Sequence, residues 1–250
     1  MKEQELKDAL NMIEISDETR AGILEKSKTT IDGKENNFMK SKKKFAVIAI
    51  AATRALGVTA FAVNNKLTLT YSISSSVPEY TDMPKAQQLI DDLGYAGDMV
   101  EEFSNGYSFD EGSVTNNMTE SDGTVEEFKS LSAWYSKGDD KVTLFIDKHD
   151  SGKQDEGSEL AAQNGDINIY AHSFINKIVP PDYVKSEDDL AAEERGEIYF
   201  AEDGEDHIVE TKVTSVSWTK DDIRYSLMQL NGELSTDELI AMANELIDRN

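Results

Sequence analysis

Apolar and polar residues alternate with a period of two over residues 67–74 (LTLTYSIS), which predicts a half-buried strand. Over residues 83–93 the period changes: Ala86, Leu89, Ile90 and Leu93 form the stripe of an amphipathic helix. Residues 133–136 and 142–147 are short strand patterns on either side of Lys137-Gly138-Asp139-Asp140, a hairpin turn. Residues 167–174 predict a further strand. Pro180-Pro181 then breaks the chain before a short acidic helix near residues 186–195. Residues 197–201, 208–218 and 223–230 read as three strands of an antiparallel meander, turning at Asp203-Gly204 and Lys220-Asp221-Asp222. Ser235-Thr236-Asp237-Glu238 is a capping box, followed by Leu239, Ile240, Ala243, Leu246 and Ile247 at helical spacing. Residues 106–120, rich in Gly, Asn and Ser, read as a loop or short strand pair, and residues 150–165 as an acidic loop. Residues 67–250 thus predict one α+β domain, a curved antiparallel sheet with helices packed on one face.

The pattern before residue 67 is of another kind. Leu6, Leu10 and Ile13 recur at four and three residues, and Ser16-Asp17-Glu18 caps a second short helix carrying Ile23 and Leu24. Two helices this short bury too little surface to form a stable domain alone, so residues 1–44 read as a cytoplasmic helical segment, either a module that folds on a partner or a weakly ordered juxtamembrane tail. Residues 45–63 (FAVIAIAATRALGVTAFAV) are the one long apolar run, with Lys42-Lys43-Lys44 on the N-terminal flank. As a helix they span about 28 Å, near the ~30 Å hydrocarbon core of a bilayer. The Phe, Ile, Leu and Val residues contribute roughly −2 to −5 kcal/mol to insertion against about +3 for the central Arg54, so the balance favours a transmembrane helix. Arg54 is the polar residue of that span. The lysines place the N-terminus in the cytoplasm and residues 67–250 outside, at the cell membrane of a single-pass protein.

Charge supports the same division. Residues 1–44 carry ten Lys/Arg against nine Asp/Glu, whereas residues 67–250 carry thirteen against forty. The large domain repels nucleic acid and anionic membrane surfaces. With no cysteine in the chain, disulfides, thiolate metal sites and cysteine nucleophiles are all excluded.

Motifs for catalysis are not found. His149, His172 and His207 are scattered outside any HExxH spacing, and no G-x-S-x-G, P-loop or GxGxxG pattern is present. Asp139-Asp140 and residues 120–123 are acidic turns without the EF-hand ligand order. Trp134, Trp218, Tyr170 and Tyr225 are assigned to the core. The expectation is a non-enzyme without a cofactor or a metal.

Trp218, Tyr225-Ser226-Leu227 and the stretch from Ser235 to Ala243 form an aromatic strand, a Y-x-L strand and a capped S-x-x-E-L-I-x-x-A helix. This ending resembles an extracellular domain of uncharacterised function in single-pass membrane proteins of clostridia and related Firmicutes. The layout of short helices, lysine cluster and span is similar to theirs, although only residues 170–250 match in detail. The resemblance implies an anti-sigma factor that sequesters an extracytoplasmic-function sigma factor through residues 1–44. Leu6, Leu10, Ile13, Ile23 and Leu24 would touch the partner, and the outer domain would sense an envelope ligand or a protease. Residues 1–44 lack the His and paired Cys of zinc-type anti-sigma domains, so the contact would rest on helix packing alone. The alternative is a membrane-anchored extracellular binding module without a role in transcription.

Overall fold

The computed structural model describes residues 57–63, 66–74, 77–121, 124–148, 157–202 and 207–249. The chain separates into two units, Met1–Lys44 and Phe45–Asn250, and all described residues belong to the second. Its elements, in order, are β1 (Gly57–Val63), β2 (Lys66–Ser74), α1 (Ala86–Leu93), β3 (Ser108–Ser121), β4 (Thr124–Lys137) and β5 (Asp140–Asp147). There follow β6 (Glu159–Asn164), β7 (Ile167–Val179), α2 (Glu187–Glu194), β8 (Ile198–Glu202), β9 (Val209–Lys220), β10 (Ile223–Leu230) and α3 (Thr236–Ile247). The fold is α+β, and the described strands make one sheet in the order β1-β2-β3-β4-β5-β10-β9-β7-β6. Every pairing along that path is antiparallel, and β8 lies off it, parallel to β7.

Alternation along the central strands decides which face is core. Leu131, Ala133 and Tyr135 of β4, Leu144 and Ile146 of β5, Tyr225 and Leu227 of β10, and Val216 and Trp218 of β9 are buried and face one side. Against them pack Leu239, Met242, Ala243 and Leu246 of α3 and Leu89 and Leu93 of α1. The indole of Trp218 lies parallel to the Tyr225 ring at 5.4 Å, a cross-strand pair that fixes the β9–β10 register. That hairpin turns through Asp221 and Asp222, both at positive φ (52° and 59°), the conformation a two-residue turn of this hand requires.

The connection from α1 to β3 seals the core on the helix side. Met99, Val100 and Phe103 are buried, and Gly97 lies so close to Ile146 that an added Cβ would come within 2.8 Å of its Cδ1. Tyr135 donates to the Val100 carbonyl at 2.9 Å, and the Asp98 amide donates to the Tyr225 hydroxyl at 3.1 Å. Lys220 joins this connection to α3, donating to Asp98 at 2.8 Å and to the Arg249 carbonyl at 2.6 Å, just past the helix C-terminus.

Five buried phenols result from this packing: Tyr80, Tyr95, Tyr107, Tyr135 and Tyr225. Burial raises each pKa, to about 12 at Tyr225 and further at the other four. Hydrogen bonds to Asp92 and Asp140 reinforce the shift at Tyr80 and Tyr107. A group raised in the folded state contributes stability that is complete below its unfolded pKa, near 10, and is lost as pH rises beyond it. Phenolate absorbance is expected to show these five titrating well above the free range, released together as the domain unfolds in alkali. Titration of all nine tyrosines near pH 10 with the fold intact would contradict this burial.

Both capping boxes that open described helices are complete. Ser235 accepts from the Glu238 amide, while Glu238 accepts from the Ser235 amide at 2.8 Å; Ser186 and Asp189 do the same at α2. The Ser235 amide and hydroxyl hold the Glu238 carboxyl below its ordinary pKa. Stability from this source is present above the unfolded value, about 4.3, and is lost as pH falls through the folded one. Glu238→Ala is therefore expected to melt below the wild type at neutral pH, with the gap narrowing as the solution is acidified below the free carboxylate range. A gap independent of pH would assign the loss to something other than the carboxylate. At α2, Asp189 accepts in addition from Tyr183 at 2.7 Å and pairs with Lys177 at 3.3 Å, which ties the helix to β7.

The structure corrects four sequence expectations. Residues 57–63 are not the last turns of a helix: they are β1, paired with β2 from Gly57↔Ser72 to Val63↔Lys66. Val58, Thr59, Phe61 and Val63 are strand-favouring types. Residues 45–56, with Arg54, lie outside the described residues, as do Leu6, Leu10, Ile13, Ile23 and Leu24. No helix among the described residues is long and apolar enough to cross a membrane. Secondly, of the two readings of residues 106–120, a loop or a short strand pair, the strand is what forms, and it is long rather than short: most of these residues belong to β3, paired with an equally long β4. Thirdly, the acidic stretch 150–165 contains β6, paired with β7. Lastly, β8 does not join a meander. It returns parallel to β7 through the α2 crossover, from Ile175↔Ile198 to Val179↔Glu202, and β9 pairs instead with β7 and β10.

Candidate functional site

The face of the sheet opposite the helices follows from the same alternation. Arg224 stands across from Thr219 on β9 and from Asp147 on β5, Ser226 across from Ser217, and Ser217 across from Tyr170 on β7. These side chains point away from Trp218, Tyr225 and Leu227, so they share the second face. Phe128, Trp134, Phe145 and Met228 lie on it too, each half-buried.

A cavity of about 240 Å³ opens on this face at β7, β9 and β10, bordered by Asp166, Asn168, Tyr170, Ser217, Thr219 and Arg224 along with Ile167 and Trp218. Each lining side chain has a structural reason for its place. Asp166 follows Gly165, whose φ of 57° turns the β6–β7 hairpin and lifts the carboxylate to the rim. Asn168 and Tyr170, two residues apart on β7, point the same way, and the amide Nδ2 lies 3.5 Å from the phenol oxygen. Ser217 is buried at the floor, and Arg224 rises beside it with Asp147 across the ladder.

Beyond Tyr170, His172 is buried between Phe174 (ring centroids 4.8 Å) and Tyr199 (5.9 Å), and its Nε2 lies 3.3 Å from the Gly196 carbonyl. A Cβ at Gly157 would come within 3.0 Å of that nitrogen, so this histidine is enclosed by the turn before β6. It serves as packing at the β7–β8 junction. His207 is exposed and distant in sequence from any partner cluster; His149 lies outside the described residues. Among the described residues no group of three or more His, Asp or Glu side chains is placed to hold a metal ion. Asp140, an acidic turn residue, accepts instead from Tyr107 and from the Lys141 amide, and Asp139 is exposed.

No protein-family model, curated protein or solved structure matches the chain.

The geometry therefore stands by itself. Of the four aromatics assigned to the core from sequence, Trp218 and Tyr225 are there, whereas Tyr170 and Trp134 are half-buried on the second face. Tyr170 is the aromatic of the cavity. Asn168, Ser217, Thr219 and Arg224 carried no sequence signal, because the cavity is assembled from three strands of which two are separated by about fifty residues.

Proposed function

We propose that the chain is a membrane-anchored regulator, an anti-sigma factor that holds an extracytoplasmic-function sigma factor through residues 1–44 and carries an acidic sensing domain outside the cell. The observation that supports it is the division of charge about the apolar run: residues 1–44 are near neutral, Lys42-Lys43-Lys44 stand at the boundary, and residues 67–250 carry a net −27. Leu6, Leu10, Ile13, Ile23 and Leu24 supply the helix stripes for the partner. Release follows mass action, since lowered affinity of those stripes frees the sigma factor.

The sheet adds a requirement to this reading. With Gly57–Val63 in β1, the rest of the apolar run is twelve residues, about 18 Å as a helix and short of a ~30 Å hydrocarbon core. A full span needs β1 to leave β2. β1 is the outermost strand of the sheet, so only one ladder is lost. The deciding experiment is a sigma-dependent reporter in cells carrying the full chain with Leu10→Glu and Ile13→Glu. Reporter output is expected to rise to the level of a deletion strain while the chain still sediments with membranes. Unchanged output from a membrane-bound variant would end the regulatory reading.

The cavity on the second face supports the other reading, an anchored extracellular binding module. Under it the same two substitutions leave transcription unaltered, and the activity resides in residues 166–224.

A further inference from the structure

We propose that the cavity between β7, β9 and β10 binds a single neutral sugar ring of a glycan. The proposal rests on the binding-module reading only in that the cavity must meet ligand; it holds whether or not the ligand also controls a sigma factor.

Size is the first argument. At about 240 Å³ the cavity lies below the roughly 300–1,000 Å³ of sites for drug-sized ligands, and it accommodates one six-membered ring with its substituents. Lining chemistry is the second. Asp166 accepts, Arg224 donates, and Asn168, Tyr170, Ser217 and Thr219 each do both, so nearly every direction out of the cavity ends in a hydrogen-bonding group. Acyl chains and apolar peptide side chains would desolvate these groups without replacing their bonds. A polyol restores them, each hydroxyl giving and accepting.

Charge narrows the class further. The one guanidinium, Arg224, faces Asp147 across the ladder, and Asp166 adds a second carboxylate within a domain of net −27. Phosphates, nucleotides and uronates meet net repulsion there. Lone cations are also a poor match, since among the described residues no three ligating side chains converge. The aromatic supplies the last element. Tyr170 is half-buried, and its ring gives an apolar platform for the C–H face of a sugar while its hydroxyl reaches the rim beside Asn168. A polar rim around one half-exposed ring matches a molecule with hydroxyls at its edge and C–H groups on its face.

The test uses the full-length protein in a detergent without a sugar headgroup, with cellotriose, maltotriose and chitotriose as probes and citrate as the anionic comparator. Saturation-transfer NMR reports the sugar protons in contact, and titration of that signal gives the affinity for each sugar. At least one trisaccharide is expected to bind saturably, weakening by about tenfold in Asn168→Ala and in Tyr170→Ala. Asn168 is exposed, so its variant keeps the wild-type melting temperature and separates loss of binding from loss of fold. Three results overturn the proposal: no transfer to any of the three sugars at about 10 mM, binding that survives both substitutions, or preference for citrate. A positive titration with unchanged reporter output in the Leu10→Glu, Ile13→Glu chain keeps the sugar site and rejects the sigma factor.

Discussion

Tyr135→Ala is expected to destabilise the domain by about 3–5 kcal/mol, lowering the melting temperature by roughly 8–16 °C. Tyr135 is fully buried on β4 and meets Phe103 and Phe109 edge-on at 4.8 and 5.8 Å. Its hydroxyl donates to the Val100 carbonyl, so one side chain binds the sheet to the α1–β3 connection by packing and by a hydrogen bond. Truncation opens a cavity beneath Phe103 and leaves the carbonyl without its partner. Tyr135→Phe separates the two effects, because it keeps the ring contacts and removes the bond alone at a cost of about 1–2 kcal/mol. Urea melts of both variants measure the split. An alanine variant melting within about 3 °C of the wild type would mean that β4 does not line the core as described.

The second large effect lies where β10 passes into α3. Gln229 is buried, and its amide donates to the Leu234 carbonyl and accepts from the Leu234 amide at 3.2 Å, so a side chain closes the turn before the capping box. Gly232 makes room for it. A Cβ there would fall 2.2 Å from the Gln229 Oε1 and 3.0 Å from the Asp140 Oδ1, which forces the amide out. Gln229→Ala is expected to cost about 2–3 kcal/mol, since it empties a buried site and leaves the half-buried Leu234 amide and carbonyl without their partner. Gly232→Ala loses the same bonds by displacing the same amide. The double variant should therefore be scarcely worse than either single one, a coupling of about 2 kcal/mol in a double-mutant cycle. Additive losses would show that the glycine and the amide act separately.

The parts of this fold that were legible in the sequence are those where local chemistry and burial agree. Ser235 and Glu238 announce α3 three residues apart, and the stripe through Leu239, Ala243 and Leu246 is the face that meets the sheet. β9 and β10 carry buried apolar residues and a two-Asp turn. β3 was legible only as one of two alternatives, a loop or a short strand pair, for a physical reason. Of its stretch SFDEGSVTNNMTES, only Val114 is a buried hydrophobic residue; the strand is held by ladders on both sides, and Asn117 bonds to Ser72 and Ser130. Backbone pairing of that kind leaves no hydrophobic period to read. Residues 57–63 failed in the opposite way, because an apolar stretch gives a helix and a buried strand the same signature. The parallel return of β8 needs the α2 crossover, and neighbouring strands in sequence more often pair directly. For the cavity, β7 has large residues on both faces, with Ile169 inside and Tyr170 and His172 outside, so composition cannot say which side is the core.

The position of β10 governs the order in which the domain is made. It sits in the middle of the sheet, between β5 and β9, although it is the last of the described strands in sequence, and α3 closes the core after it. While the chain is synthesised from its N-terminus, β5 emerges with one edge bare and stays so until residues 223–230 follow. The contacts that complete the core join residues 131–146 to 223–247, a sequence separation that makes folding slow and late. A chain cut before residue 223 leaves β5 with an unpaired edge facing water, an aggregation hazard rather than a smaller domain. Closure of the core therefore waits until residues 223–247 are free to enter it.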